Sequence, residues 1–360
     1  MADALRGHAI DAAFSQRRDF NQSLSETKPM KLSLLSLLRC PKSGLPLSLE
    51  PDIGIYSTDS ELAGGWLVSA DNQHRYPIRN GIPRFVPQSN YADNFGMQWN
   101  HFAKTQLDSY SGRPISAERF WRATGWRPED LRGRWVLDVG CGSGRFAEVA
   151  LAAGAHVVAL DYSSAVDACY ANLNHFPGLH VVQGDIYALP FVAESFPFVY
   201  CLGVLQHTPD VARAFAALPR MVAPGGGRLC AESYLWSWRM WLYPKFWLRP
   251  ITKRLPKEKL FSALQRLLPM LLFASKALGR VPVMGGYLKR LVPVANDEDV
   301  FPLTEQQLKE WALLDTFDWL APEYDQPQTA STIARWFENA GLTDIEVRKI
   351  VLLTGRGRKT

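Results

Sequence analysis

Residues 136–144 read Val-Leu-Asp-Val-Gly-Cys-Gly-Ser-Gly, and this stretch decides the fold. Apolar residues flank Asp138, glycine then falls at positions 140, 142 and 144, and the run RFAEVALAAGA follows with helical apolar spacing. A buried strand that breaks at glycines and re-enters as a helix brings backbone N–H groups close to any ligand at the turn. The spacing departs from the dinucleotide fingerprint Gly-x-Gly-x-x-Gly/Ala, because Arg145 stands at its last position. No Gly-Lys-Ser/Thr turn is present, which argues against a phosphate-cradling loop.

Working outward, the same alternation continues on the C-terminal side. HVVALD (156–161), LHVVQGD (179–185) and PFVYCLG (197–203) read as strands, and RLCAES follows the loop Pro224-Gly-Gly-Gly227. Helices are expected near 164–174 and from about Asp210 to Val222, the latter with Thr208 as cap and Pro209 in its first turn. Short, β-branched strands separated by helices imply a parallel sheet covered on both faces. The expected fold is α/β: a doubly wound, mostly parallel Rossmann-like sheet with a small N-terminal β-rich module and a helical lid insertion. A closing helix at 329–340 carries Ile333, Trp336, Phe337 and Ala340 on one side and leads to the strand DIEVRKIVLL.

An acidic residue two positions before the first glycine, with glycine at every second place, resembles motif I of the class I S-adenosylmethionine (SAM)-dependent methyltransferases. In an open parallel sheet the ligand sits at the carboxyl ends of the strands, and Asp138, Asp161 and Asp185 fall at or near three such ends. The resemblance implies SAM as cofactor, with Asp161 accepting both ribose hydroxyls, Asp185 facing the adenine amino group and Ile186 packing on the ring. A carboxylate suits a diol because it is acceptor-only and takes two donors at once. The implied cofactor set is Asp138, Gly140, Cys141, Gly142, Gly144, Asp161, Tyr162, Asp185, Ile186 and Leu202. Taken singly, each aspartate reads equally well as a helix cap or turn residue.

The strip Leu202-Gly-Val-Leu-Gln-His207-Thr-Pro-Asp210 resembles that of small-molecule methyltransferases of the quinone- and polyketide-modifying kind. It places His207 beside the reactive methyl, as base for a hydroxyl or as a shield. The strand end lacks the Asn/Asp-Pro-Pro-Tyr/Phe turn that orients planar amines, and Cys201 has no preceding proline. Both features disfavour nucleobase methylation. O-methylation of a small molecule, or of a glycan or lipid-linked intermediate, is the leading expectation. An RNA methyltransferase and a non-catalytic scaffold of the same fold are the alternatives.

At 360 residues, 47% hydrophobic and 21% charged, the chain can hold more than one core. Its five cysteines (Cys40, Cys141, Cys169, Cys201, Cys230) form no C-x-x-C pair, which suits free thiols in a reducing cytoplasm and a protein without a metal centre. Residues 1–28 are polar and aperiodic, read as a mobile tail. Residues 30–88 punctuate short β-like pieces with Gly44, Pro46, Pro51 and Gly54 and end in an Asn80-Gly81 turn. Their pattern L-x-C-P…Y-P-I-x-x-G-I-P resembles small zinc-ribbon-like modules associated with methyltransferases. Ser43 stands where the second cysteine would fall, so the reading is a degenerate, metal-free ribbon. Residues 90–132 form an aromatic connector (Tyr91, Phe95, Trp99, Phe102, Phe120, Trp121, Trp126), which the resemblance folds over the cofactor, and 133–234 the SAM-binding core.

The insertion 235–328 is the expected substrate lid, ahead of the closing segment 329–360. From Leu235 to Arg290 there are twelve Lys/Arg against one acid, Glu258, interleaved with Trp236, Trp238, Trp241 and Trp247. The segment 236–290 reads as a solvated helical subdomain, as a peripheral contact for anionic membrane, or, last, as an RNA surface. The following stretch is acidic and aromatic, with Asp315, Asp318, Tyr324 and Asp325. Of these, Tyr324 and Asp325 are expected to touch the acceptor.

Overall fold

The computed structural model describes residues 30–51, 61–62, 64–87 and 93–360. The tail at 1–28, Gly54 of the N-terminal module and Tyr91 of the connector lie outside the described residues. The chain divides into two compact units, with the division between Arg84 and Phe85.

In the first unit, β1 (Met30–Lys31) precedes a 3₁₀ helix over Leu32–Leu37. β2 (Leu47–Pro51), β3 (Glu61–Leu62), β4 (Gly65–Ser69), β5 (Arg75–Arg79) and β6 (Ile82–Pro83) follow. β2, β4, β5 and β6 pair antiparallel in that order, and β1 pairs with β3. Asn80 and Gly81 both take positive φ (53° and 72°), the two-residue hairpin turn anticipated from their identity. Leu34, Leu38, Leu67, Ile78 and Ile82 form the buried side of this unit. Cys40 is buried with its Sγ 3.3 Å from the Tyr76 hydroxyl, and it accepts the Ser43 N–H at 3.4 Å. Among the described residues, no group of three or more His, Cys, Asp or Glu side chains is arranged to hold a metal ion.

The second unit begins with the connector helices α1 (Asp93–His101), α2 (Asp108–Ser111), α3 (Ile115–Thr124) and α4 (Pro128–Leu131). The core then alternates β7 (Trp135–Val139), α5 (Arg145–Ala152), β8 (His156–Asp161), α6 (Ala165–Leu173), β9 (Leu179–Gln183), β10 (Phe198–Cys201), α7 (Val211–Ala217) and β11 (Gly227–Ser233). The insertion supplies α8 (Pro244–Thr252), α9 (Lys257–Gly279), α10 (Gly285–Leu288) and α11 (Glu305–Leu320), and α12 (Ala330–Asn339), β12 (Thr343–Lys349) and β13 (Leu353–Lys359) close the chain. The sheet order is β12-β13-β11-β10-β7-β8-β9, with β7 to β11 parallel and β13 antiparallel to both β11 and β12. The chain runs outward from β7 to β9 and returns to β10 on the other side of β7. The switch point, where a doubly wound sheet opens a crevice, therefore lies between β7 and β10.

Two local expectations change. The helix after β10 is shorter than 210–222: Asp210 caps it by accepting the Arg213 N–H at 3.0 Å, while the Thr208 hydroxyl donates to the Leu205 carbonyl instead. It stops at Ala217: Leu218 is still helical in backbone, but Pro219 has no N–H with which to continue the ladder. The terminal strand is also not one run. DIEVRKIVLL breaks after Lys349, and β13, reading LTGRGRK, returns between β12 and β11. Its Gly355 is required by packing, since a β-carbon there would lie 2.6 Å from Phe337 and 2.8 Å from Ile333 of α12.

The insertion has a core of its own. Leu260, Leu264, Leu268 and Leu272, one turn apart along α9, pack against Leu314, Phe317 and Phe102. No helix among the described residues is long and apolar enough to cross a membrane.

Candidate functional site

A cavity of about 930 Å³ opens where the loops leave β7, β8 and β10, and it continues beneath the insertion. Its walls include Val139 to Ser143, Leu160 to Tyr162, Gly184, Ile186 and Leu202 to Val204 on the sheet side. Phe95 and Trp99 of α1 cover the same end.

The glycine turn is built by backbone contacts that leave no room for side chains. Gly140 and Cys141 both donate N–H to the Leu160 carbonyl, at 2.7 and 3.0 Å, which ties the end of β7 to the end of β8. Gly140 has φ +87°, and a β-carbon there would run into the Val204 side chain. Gly142 (φ +53°) lies under the Trp99 indole, 3.3 Å from where its β-carbon would be. Asp161 closes the crevice. Its Oδ2 accepts the Gly142 N–H at 3.0 Å, and its Oδ1 accepts the Ser163 N–H and hydroxyl at 2.8 and 2.7 Å. Burial pushes its carboxyl above the ordinary range, while the hydrogen bonds from Ser163 and Gly142 oppose that shift. A carboxylate held so rigidly keeps further lone pairs for a ligand.

Of the sequence-derived cofactor set, Gly140, Cys141, Gly142, Asp161, Tyr162, Ile186 and Leu202 line the cavity. Asp138, Gly144 and Asp185 do not. Asp138 is only 2% exposed, and burial drives its carboxyl up to about 8 against the pull of the Tyr200 hydroxyl. Its place is inside the sheet, away from the cavity. Gly144 (φ +97°) starts α5, and its missing side chain makes room for Leu173 and Cys169 of α6, a packing role. Asp185 caps the 3₁₀ turn Ile186–Ala188 by accepting the Tyr187 N–H at 2.9 Å.

Further along, His207 lines the cavity between Phe95 (ring centroids 5.3 Å) and Tyr234 (5.5 Å). Its Nδ1 is 3.1 Å from the Tyr324 carbonyl, and its Nε2 is 4.0 Å from Asp318 Oδ2. The Tyr234 hydroxyl donates to the same Asp318 oxygen at 3.4 Å. Tyr324 and Asp325, expected at the acceptor, are not among the lining residues. The Asp325 side chain is 3% exposed and sits 3.9 Å from Lys245 Nζ and 3.8 Å from Arg249 Nε. Arg249 also donates to the carbonyls of Trp319 and Pro322, at 3.0 Å each. Two cations already hold the Asp325 carboxylate inside the lid, so this pair of residues anchors the insertion.

From the acidic stretch of the insertion Asp315 and Asp318 do face the cavity, with Trp311, Leu314 and Trp319, one face of α11, and Asp297 and Glu118 line it as well. The Asp315 carboxylate accepts from the Trp311 indole at 3.0 Å and from Gln106 at 3.4 Å. Burial, then the carboxylates of Asp297 and Asp318, raises it to about 7, with Arg145 opposing. Arg145 lies between the rings of Phe146 and Trp311 and donates to Ser116 and Gln106, at 2.9 Å each; burial lowers it to about 9. Arg119 donates to the fully buried Glu232 at 2.8 Å. The Asp315/Asp318 pair could have been found from the spacing 311, 314, 315, 318, a helical face. Arg119, Arg145 and Lys245 carry no such local signal.

Residues 137–230 match the sequence family described as methyltransferase domain. The ubiquinone biosynthesis O-methyltransferase of Aromatoleum aromaticum is 37% identical over 105 residues, covering 28% of this chain and 44% of that protein. The malonyl-[acyl-carrier protein] O-methyltransferase of Erwinia billingiae is 38% identical over 99 residues, 26% of this chain and 37% of that one. The solved structure of an S-adenosylmethionine-dependent methyltransferase from Mesorhizobium loti aligns over 65% of this chain and 94% of its own, at 19% identity and a TM-score of 0.37. The chain thus spans less than half the length of the two curated relatives. The likeness anticipated from Val136 to Gly144 is met in the core: residues 137–230 are similar to the methyltransferase domain.

Proposed function

We propose that this protein is a SAM-dependent methyltransferase that O-methylates a small molecule. The observation that carries the proposal is a single cavity reaching from the glycine turn and Asp161 to His207 and Asp318. The residues at its sheet end fit the cofactor: Gly140 and Gly142 line the cavity with bare backbone, and the Asp161 carboxylate beside them is an acceptor for a diol. Ile186 and Leu202 offer apolar surface for a base. When bound, SAM supplies a methyl group on a sulfonium, open to in-line displacement.

The chain's own work is to hold, orient and exclude water. Phe95 and Trp99 close the crevice over the turn. The Tyr324 carbonyl accepts from His207 Nδ1, so in the neutral ring Nε2 is the nitrogen able to take a proton from an acceptor hydroxyl. Asp318, within 4.0 Å, steadies the imidazolium that results. The names of the similar O-methyltransferases support oxygen as the acceptor atom. Tyr234, Met240, Tyr243 and Phe246 make the roof aromatic and apolar, which suits a ring or an acyl chain, including one on a lipid or glycan carrier. All five cysteines are buried and free, which supports a reducing compartment such as the cytoplasm.

Calorimetric titration with SAM, S-adenosylhomocysteine, NAD and ATP tests the reading. Saturable binding of the first two, and of neither nucleotide control, is expected. Binding of NAD or ATP in their place would contradict it.

A further inference from the structure

The segment that roofs the cavity has two faces. Its 3₁₀ turn, Trp238–Leu242, and the start of α8 direct Met240, Tyr243, Lys245 and Phe246 to the cavity. The outer face leaves Trp238, Trp241, Leu242, Trp247 and Ile251 exposed by 64, 67, 56, 62 and 65%, with Trp236 at 53% just before them. Trp247 and Ile251 are one turn apart on the same side of α8. Large apolar side chains clustered on a surface in this way mark an interaction site.

Charge selects the partner. Arg239 lies 5.7 Å from the Trp238 ring centroid, and Arg254, Lys259 and Arg266 are exposed on the segments that follow. Of the twelve Lys/Arg among residues 235–290, Lys245 and Arg249 pair with Asp325, and Lys253, Lys276 and Lys289 with Glu323, Glu298 and Asp299, so the charge offered to a partner rests on exposed cations such as Arg239, Arg254, Lys259 and Arg266. Indoles stay at the level of lipid headgroups, where their rings are buried and their N–H remains wet, and cations beside them meet lipid phosphates. A protein partner would need matching acidic grooves, whereas an anionic bilayer satisfies both features at once.

We propose that the outer face of residues 236–254 docks on the surface of an anionic lipid bilayer. The roof of the cavity then lies against the headgroup layer, where amphiphilic acceptors partition. This last consequence rests on the methyl-transfer reading; the docking does not.

The test is flotation of the full chain with vesicles of phosphatidylcholine alone, or with about a third phosphatidylglycerol, at low and high salt. Expected are binding at least about tenfold stronger to the anionic vesicles, lost at high salt, and a blue shift of tryptophan emission. The variant Trp238→Ser/Trp241→Ser/Trp247→Ser should lose at least about tenfold in vesicle binding while its melting temperature and SAM affinity stay unchanged. Absent binding, binding indifferent to lipid charge, or full binding by the variant would each overturn the proposal. A dimer in sedimentation velocity that the variant abolishes would give the face to a second copy and also overturn it, as would an RNA hairpin that displaces the vesicles. SAM titration of the same samples separates the two readings: vesicle binding without SAM binding removes the cofactor assignment alone.

Discussion

His207 Nδ1 lies 3.1 Å from the carbonyl oxygen of Tyr324, so a loop of the core is joined to the insertion through the imidazole. A carbonyl only accepts, so Nδ1 donates to it, and Nε2 is the ring nitrogen turned toward Asp318. Tyr324 thus serves the site through its backbone, a role its side chain could not announce.

His207→Ala should lower kcat for methyl transfer by about a hundredfold or more, the usual contribution of a general base, with SAM affinity unchanged. Steady-state kinetics and calorimetry on the same preparation check both halves. A kcat within a few fold of wild type would reduce His207 to a wall of the cavity.

Asp161→Ala removes the carboxylate that holds the Gly142 and Ser163 N–H groups and, in the proposed complex, the ribose hydroxyls. Hydrogen bonds to a charged group contribute about 1.5–3 kcal/mol each, so SAM should bind about a hundredfold more weakly. Equal affinity for the variant and the wild type would refute the cofactor assignment.

Arg119→Met leaves Glu232 buried without its cation, with the Thr354 hydroxyl still donating to it. An uncompensated buried charge costs about 3–5 kcal/mol, which urea unfolding should register as a loss of stability. Adding Glu232→Gln should restore most of it. If the single variant unfolds like wild type, the pair contributes nothing measurable.

Asp138 gives stability a pH dependence of definite sign. Its carboxyl ionises at about 8 in the fold, against 3.8 ordinarily, so between those values the native state holds a proton that the unfolded chain has released. Stability contributed at this site is therefore full at acid pH and falls as pH rises toward 8. Each pH unit climbed inside that window costs the wild type about 1.4 kcal/mol at most, a cost the amide of Asp138→Asn does not bear. The variant should therefore gain on wild type by an amount on the order of a few kcal/mol between mildly acid and mildly alkaline pH. Parallel stability curves for the two proteins would contradict it.

The core of this fold was legible because local signals coincide there. The glycines at 140 and 142 need left-handed backbone where the turn approaches Val204 and Trp99, and the β-branched strands state their burial. Asp185 looked the same as Asp161 in sequence, yet one caps a 3₁₀ turn and the other closes the crevice. Strand position alone does not separate these roles. The acidic stretch of the insertion misled in a similar way. Asp325 drew attention as a charge beside an aromatic, but it lies in the loop after α11 and its partners Lys245 and Arg249 come from α8, and pairing of that kind is tertiary. Asp315 and Asp318 reach the cavity because α11 presents one face to it. The bounds of strand β13 were not legible because Gly-Arg-Gly-Arg alternates without apolar residues on either face; its glycines are set by Phe337 packing across them.

The most direct measurement is a crystal structure of the protein grown with S-adenosylhomocysteine. Expected are the nucleoside between the 140–142 turn and Ile186, both ribose hydroxyls within hydrogen-bond distance of the Asp161 carboxylate, and the sulfur pointing along the cavity toward His207. A ligand bound elsewhere, or a crevice closed by Val204 and Trp99 with the ribose away from Asp161, would contradict it.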